Sequence, residues 1–145
     1  MPTTKEFIVQ LEDRPGTLAK LCSALGDRGV NILAIQASPS GRRTEVRFVV
    51  DDPAAANAVL GTESLAYDES EVVQAKLANR PGEFGRVASR LSKDNININY
   101  TYSGADPSVG TSFVIFGVGT ANAARAAAIL DQITVGGDLA NSATN

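Results

Sequence analysis

Asp13-Arg-Pro-Gly-Thr-Leu-Ala-Lys-Leu-Cys-Ser-Ala-Leu-Gly-Asp-Arg-Gly-Val-Asn-Ile32 recurs, without a gap and 66 residues later, as Asn79-Arg-Pro-Gly-Glu-Phe-Gly-Arg-Val-Ala-Ser-Arg-Leu-Ser-Lys-Asp-Asn-Ile-Asn-Ile98. Arg14/Arg80, Pro15/Pro81, Gly16/Gly82, Ser23/Ser89, Leu25/Leu91, Asn31/Asn97 and Ile32/Ile98 are identical. Leu18/Phe84, Lys20/Arg86, Leu21/Val87 and Val30/Ile96 exchange like for like. The period is too long for a solenoid and occurs only twice, so the repeat reads as two small domains of one kind. They are placed at 1–68 and 69–145.

Working outward in the first copy, Phe7, Val9 and Leu11 alternate with Glu6, Ile8 and Gln10, which predicts a half-buried strand over 5–11. Asp13-Arg-Pro-Gly16 ends it. Proline suits the first turn of a helix, and glycine permits a sharp bend with close approach to the main chain. Leu18, Leu21, Cys22 and Leu25 form one apolar stripe on a helix from Thr17 to about Arg28, which Gly29 stops. A second strand is expected over 31–37, with Ile32, Ala34 and Gln36 on one face and Leu33 and Ile35 on the other. Ser38-Pro-Ser-Gly41 reads as a turn. A third strand follows over 44–50. Asp52-Pro53 then caps a short helix, and Leu65 to Tyr67 is a short last strand. The order is β-α-β-β-α-β.

The acidic run Asp68-Glu-Ser-Glu71 reads as a solvated loop joining the copies; it lacks the spacing of a calcium loop. Strands over 72–78, 96–102 and 113–118 and a helix carrying Phe84, Val87, Ala88 and Leu91 repeat the pattern. Ser103 to Gly110 reads as a long turn. Phe113-Val-Ile-Phe-Gly-Val118 is nearly all apolar, as in strands covered on both faces. Thr120 is expected to cap an Ala-rich helix to about Ile133. The tail from about 135 reads as poorly ordered, with the last strand short or missing.

Composition narrows the function. A chain of 145 residues with 43% hydrophobic and 20% charged residues is an ordinary globular profile. A net charge of −3 argues against nucleic acid or an anionic membrane as partner. An RNA-binding domain of the same topology is disfavoured further, because the aromatic 113–116 strand carries no Lys or Arg. The single cysteine excludes an intrachain disulfide, and a cytoplasmic setting is expected. There is no histidine, hence no ordinary general base near neutral pH, and no zinc spacing, P-loop or Ser-His-acid set. Cys22, on the apolar stripe, reads as an inert thiol. No catalytic residue, metal or cofactor is expected.

The loop itself points to a small anion. A helix N-terminus beside a glycine exposes backbone N–H groups that favour a carboxylate, while Asp13 or Asn79 can accept from an ammonium group. Read from the residues alone, the loop serves equally as a plain strand-to-helix turn, and Asn31 and Asn97 as local turn residues.

The D/N-R-P-G-x-L/F run with its later [VI]-N-I, inside β-α-β-β-α-β, resembles the ACT domain, and the resemblance covers both copies. It implies an α+β fold of two ferredoxin-like units with antiparallel sheets packed side by side and helices on one face. It further implies a non-catalytic sensor that binds an amino acid at an interface between units and forms a homodimer. The alternative is a ligand-independent regulatory subunit docking on a separate metabolic enzyme. By resemblance the ligand positions are Asp13, Pro15, Gly16, Asn31 and Ile32, with Asn79, Pro81, Gly82, Asn97 and Ile98 in the second copy. Thr17 against Glu83 is the main departure: a negative charge stands where a ligand carboxylate would approach, so the two loops need not be equivalent.

Overall fold

A computed structural model describes residues 2–106 and 108–144; side chains at 106 and from 134 onward lie outside the description. In chain order the elements are β1 (Thr3–Glu12), α1 (Thr17–Asp27), β2 (Ile32–Ser40), β3 (Arg43–Val50), α2 (Pro53–Thr62), β4 (Tyr67–Ala78), α3 (Glu83–Lys93), β5 (Tyr100–Asp106), β6 (Thr111–Gly117) and α4 (Thr120–Thr144). Contacts divide the chain into a unit of Lys5–Ser70 and a unit of residues 71 onward together with the stretch ahead of Lys5.

In the Lys5–Ser70 unit, β1 and β2 pair antiparallel on either side of β3, with Phe7 opposite Phe48 and Val9 opposite Val46. The opening residues of β4 lie beside β1, where the Ser70 hydroxyl donates to Glu6 at 3.4 Å and Lys5 pairs with Glu69 at 3.0 Å. The order β2-β3-β1-β4 is that of a ferredoxin-like βαββαβ unit. Alternate strand residues Phe7, Val9, Leu11, Val46 and Phe48 meet Leu21 and Leu25 of α1 and Ala56, Val59 and Leu60 of α2 in one core, so both helices cover the same sheet face. Asp52 caps α2 as expected, its carboxylate accepting from the Ala55 N–H at 3.1 Å.

In the other unit β6 pairs antiparallel with both β4 and β5. Val73, Ala75, Leu77, Val114 and Phe116 pack against Val87 and Leu91 of α3 and Ala123, Ala126 and Leu130 of α4. Val114, Ile115 and Phe116 are all buried, in keeping with the apolar run. Past the far side of β4, the Gln74 N–H donates to the Pro2 carbonyl at 3.1 Å, so residues ahead of Lys5 stand where a fourth strand would close this unit.

Several elements differ from the sequence reading. Leu65 to Tyr67, the acidic run and Val72 to Ala78 were expected as strand, loop and strand. Residues 67–78 instead form one strand, whose half-buried Ser70 and Glu71 carry the backbone through the polar stretch. β2 continues through Ser38, Pro39 and Ser40, and the turn is only Gly41 and Arg42. Pro39 is tolerated because β2 is an edge strand of its unit. A bulge between Ile32 and Ala34 resets the register, so that Ile32 and Ile35 stand opposite Val50 and Phe48; Ile32 packs against the core, while Ile35 stays exposed. β5 begins at Tyr100 rather than Ile96 and absorbs Ser103 to Ala105 from the expected turn. The Thr120 hydroxyl accepts from the Glu71 N–H at 3.2 Å. Leu18 is exposed, off the buried part of the stripe. The last helix, expected to end at about Ile133 ahead of a poorly ordered tail, continues in its backbone as α4 to Thr144.

Gly117 on β6 faces Tyr100 on β5, and a Cβ there would overlap the tyrosine ring. Gly117→Ala is therefore expected to lower stability by about 1–3 kcal/mol through overpacking. Urea melts of the variant and of a Gly117→Ala/Tyr100→Ala double variant check this: the double variant recovers part of the loss if the ring is the cause.

Candidate ligand-binding loops

Each repeat turns from strand into helix through the same backbone. Pro15 and Pro81 are followed by Gly16 and Gly82 at φ 96° and 85°, a left-handed conformation that L side chains rarely adopt. The glycine carbonyls accept the first helical bonds, from Lys20 at 3.0 Å and Arg86 at 2.9 Å. The Arg14 and Arg80 N–H groups fold back to the Glu12 and Ala78 carbonyls. At the other helix end, Gly29 and its counterpart Asn95 are also left-handed, at φ 72° and 58°. There Val30 and Ile96 donate to Leu25 and Leu91, which satisfies the last carbonyls in both copies.

Around the first loop, Asp13, Pro15 and Gly16 are exposed. Asp13 accepts from the Thr44 hydroxyl at 3.1 Å. The Thr17 hydroxyl donates back to the Glu12 carbonyl at 2.8 Å, and no side chain caps the N-terminus of α1. Arg14 pairs with Glu12 at 2.6 Å, and this bond holds the Glu12 carboxyl below the usual carboxylate range. Asn31 is exposed; its N–H donates to Asp51 Oδ1 at 2.9 Å and its carbonyl accepts from the Asp51 N–H at 3.1 Å. Ile32 packs against the core. In the second copy Asn79, Pro81 and Gly82 are exposed, the Asn79 N–H donates to Gly110, Asn97 donates to Asn99, and Ile98 packs against the core.

The expected residues of one repeat do not form a single site within that repeat. The 13–16 loop and the 31–32 pair flank opposite ends of an 11-residue helix, about 16 Å long at 1.5 Å per residue. The same holds for 79–82 and 97–98 around α3.

The loops differ in their first helical residue. Glu83 is 5% exposed, and its carboxylate accepts from Arg80 at 3.1 Å and from Arg86. The Arg86 hydrogen bond holds the Glu83 carboxyl below the usual range, against the opposing effect of burial. Sequence reading noted the charge but missed the clamp, although arginines three residues either side of Glu83 are its signal. In the first copy a cleft of about 210 Å³ opens beside Arg14, Thr17 and Lys20, walled by Arg43, Glu63 and Leu65.

Burial pushes the half-buried Cys22 thiol up, away from nucleophile chemistry. Among the described residues no group of Cys, Asp and Glu is arranged to hold a metal ion, and no helix is long and apolar enough to cross a membrane.

The fold and the glycine-proline turn define a ferredoxin-like module, and a family model described as the ACT domain matches residues 5–62, the body of the first repeat. No curated protein matches the chain by sequence. Among solved structures, protein BT0572 from Bacteroides thetaiotaomicron shares 23% identity with a TM-score of 0.81, covering 91% of this chain and 89% of that one. The ligand-free regulatory subunit of aspartate kinase from Thermus thermophilus is 17% identical with a TM-score of 0.64, covering 90% and 91%. The corresponding subunit from Thermus flavus is 16% identical with a TM-score of 0.61, covering 90% and 91%. At these identities the likeness is one of fold.

Glu83→Gln is expected to cost about 1–3 kcal/mol near pH 7, because two arginines lose their buried acceptor. With its carboxyl pKa depressed in the folded state, the Glu83 contribution is present above the ordinary carboxylate range and is lost as pH falls through the lower folded value. Thermal melts of both proteins from pH 7 down to pH 3 check this: the gap between them narrows in acid.

Proposed function

We propose that this chain is a non-catalytic sensor that binds an amino acid at an interface between ACT repeats, within one chain or across a homodimer. In this reading the sheets of the repeats join side by side. The observation that carries it is the exposed, side-chain-uncapped N-terminus of α1 behind Gly16, with Asp13 alongside. Backbone N–H groups there favour the ligand carboxylate and Asp13 its ammonium group. Asp13, Pro15 and Gly16 would act with Asn31 and Ile32 of a neighbouring repeat, since the two groups flank opposite ends of one helix. Asn79, Pro81, Gly82, Asn97 and Ile98 are the counterparts in the second copy. Ligand that binds one arrangement better shifts the population toward it, which is the physical basis of regulation.

A second reading is a regulatory subunit that docks on a separate metabolic enzyme. It draws on the likeness of fold to the aspartate kinase regulatory subunits and on Leu33 and Ile35, 42% and 41% exposed on an edge strand.

A thermal-shift screen of the purified chain against the standard amino acids, with Gly16→Val and Gly82→Val alongside, separates the two. Ligand at 100 times its Kd is expected to add about 2.7 kcal/mol, roughly 5–10 °C for a chain of this size. The sensor reading expects a selective shift lost in the Gly16→Val variant. A flat screen with both variants folded favours the docking subunit.

A further inference from the structure

The second repeat contains, inside its own chain, the interaction that the first repeat lacks. Glu83 places a carboxylate in the first turn of α3, between the guanidinium groups of Arg80 and Arg86, and Arg86 also donates to the Ile133 carbonyl at 3.4 Å. At the 66-residue offset these three correspond to Arg14, Thr17 and Lys20. Ile133 corresponds to Leu65 at the 68-residue offset that relates Phe48 to Phe116. Arg14, Thr17, Lys20 and Leu65 together line the cleft of about 210 Å³ in the Lys5–Ser70 unit. The first repeat has a cation at both positions but Thr17 where the second has its carboxylate; the Thr17 hydroxyl is turned back to the Glu12 carbonyl, and Arg14 pairs with the Glu12 side chain instead.

We propose that this cleft binds the carboxylate of a small ligand in the place that the Glu83 carboxylate fills in the second repeat, and that the second repeat is closed to ligand by its own side chain. The cleft lies on the core-side flank of α1, and its carboxylate site is independent of any contact between repeats. Its cations already have carboxylate neighbours that water screens: Lys20 stands 3.9 Å from Glu63, and Arg14 is held at 2.6 Å by Glu12, which also lines the cleft, in a pair exposed on both sides. Arg43 lines the cleft as well, close enough to Glu12, on the same wall, to add to the pull that Arg14 exerts on its carboxyl. A ligand carboxylate would gain charge-assisted bonds there, and bidentate ones from an arginine. Glu63 supplies the opposite sign on the same wall, which fits an ammonium group and favours an α-amino acid over a plain acid. The amino-acid class rests on the sensor reading as well; the carboxylate site rests on the geometry alone.

Isothermal titration of the full chain with each standard amino acid, and with acetate and succinate as plain carboxylates, tests this alongside Thr17→Glu and Lys20→Gln. The expected result is one site per chain for an amino acid. Binding is lost in Thr17→Glu, which fills the cleft as Glu83 fills its own, and weakened on the order of ten-fold in Lys20→Gln. If Thr17→Glu does not fold, Lys20→Gln decides, since Lys20 is exposed. An amino acid bound unchanged by the folded variants overturns the cleft and leaves the sensor reading standing. Acetate or succinate bound by the parent and lost in the variants, with no amino acid bound, upholds the cleft and overturns the amino-acid reading. No binding of any probe to the parent overturns both.

Discussion

Both halves depend on a left-handed residue placed between a proline and a helix. The chain must leave β1 or β4 and reverse direction within four residues, and a side chain at positive φ costs roughly 1–2 kcal/mol. Glycine at 16 and 82 removes that cost, and the helix then starts at the angle that lays Leu21 and Leu25, or Val87 and Leu91, onto the alternating apolar residues of the preceding strand. The left-handed exits at Gly29 and Asn95 complete the crossover. With entry and exit both prescribed, the position of the third strand between its neighbours follows from right-handed connection and antiparallel pairing.

The local consequences of this constraint are legible in the sequence. The helical stripes, the Asp52 cap and the repeated βαββα order need only neighbours in the chain. What escapes reading is what depends on distant partners. Asp68 to Glu71 is polar enough to pass for a loop, and only pairing beside β1 makes it strand. The bulge after Ile32 is invisible until β3 sets the register. The strand starts only at Tyr100, whose ring lies over Gly117 of the neighbouring strand, a fit between residues far apart in the chain. Among the candidate site residues, the exposed glycine-proline loops were foreseeable. That Asn31 and Asn97 stand a helix length away follows only from assembling the unit.

The two loops show how one change redirects the chemistry of a shared backbone. Both present a helix start with basic side chains before and after it. Where the first helical residue is threonine, an open cleft remains. Where it is glutamate, the same basic pair is engaged by a carboxylate that is covalently part of the helix and needs no encounter. An internal carboxylate gives up no translational freedom on binding, so it outcompetes a dissolved one at any ordinary concentration. The duplicated halves therefore differ in charge pairing at this turn despite nearly equal backbones.

The bond from Gln74 to the carbonyl of Pro2 bears on the order in which the molecule can be made. Residues 2–4 leave the ribosome before every other described segment, yet they belong with the unit translated last. The Lys5–Ser70 unit holds its own strand partners and can settle while synthesis continues. The later unit must recover a stretch separated from it by that whole earlier unit. This is a closure of high sequence separation, which slows assembly. It also leaves one margin of β4 open to other strands until the stretch is captured.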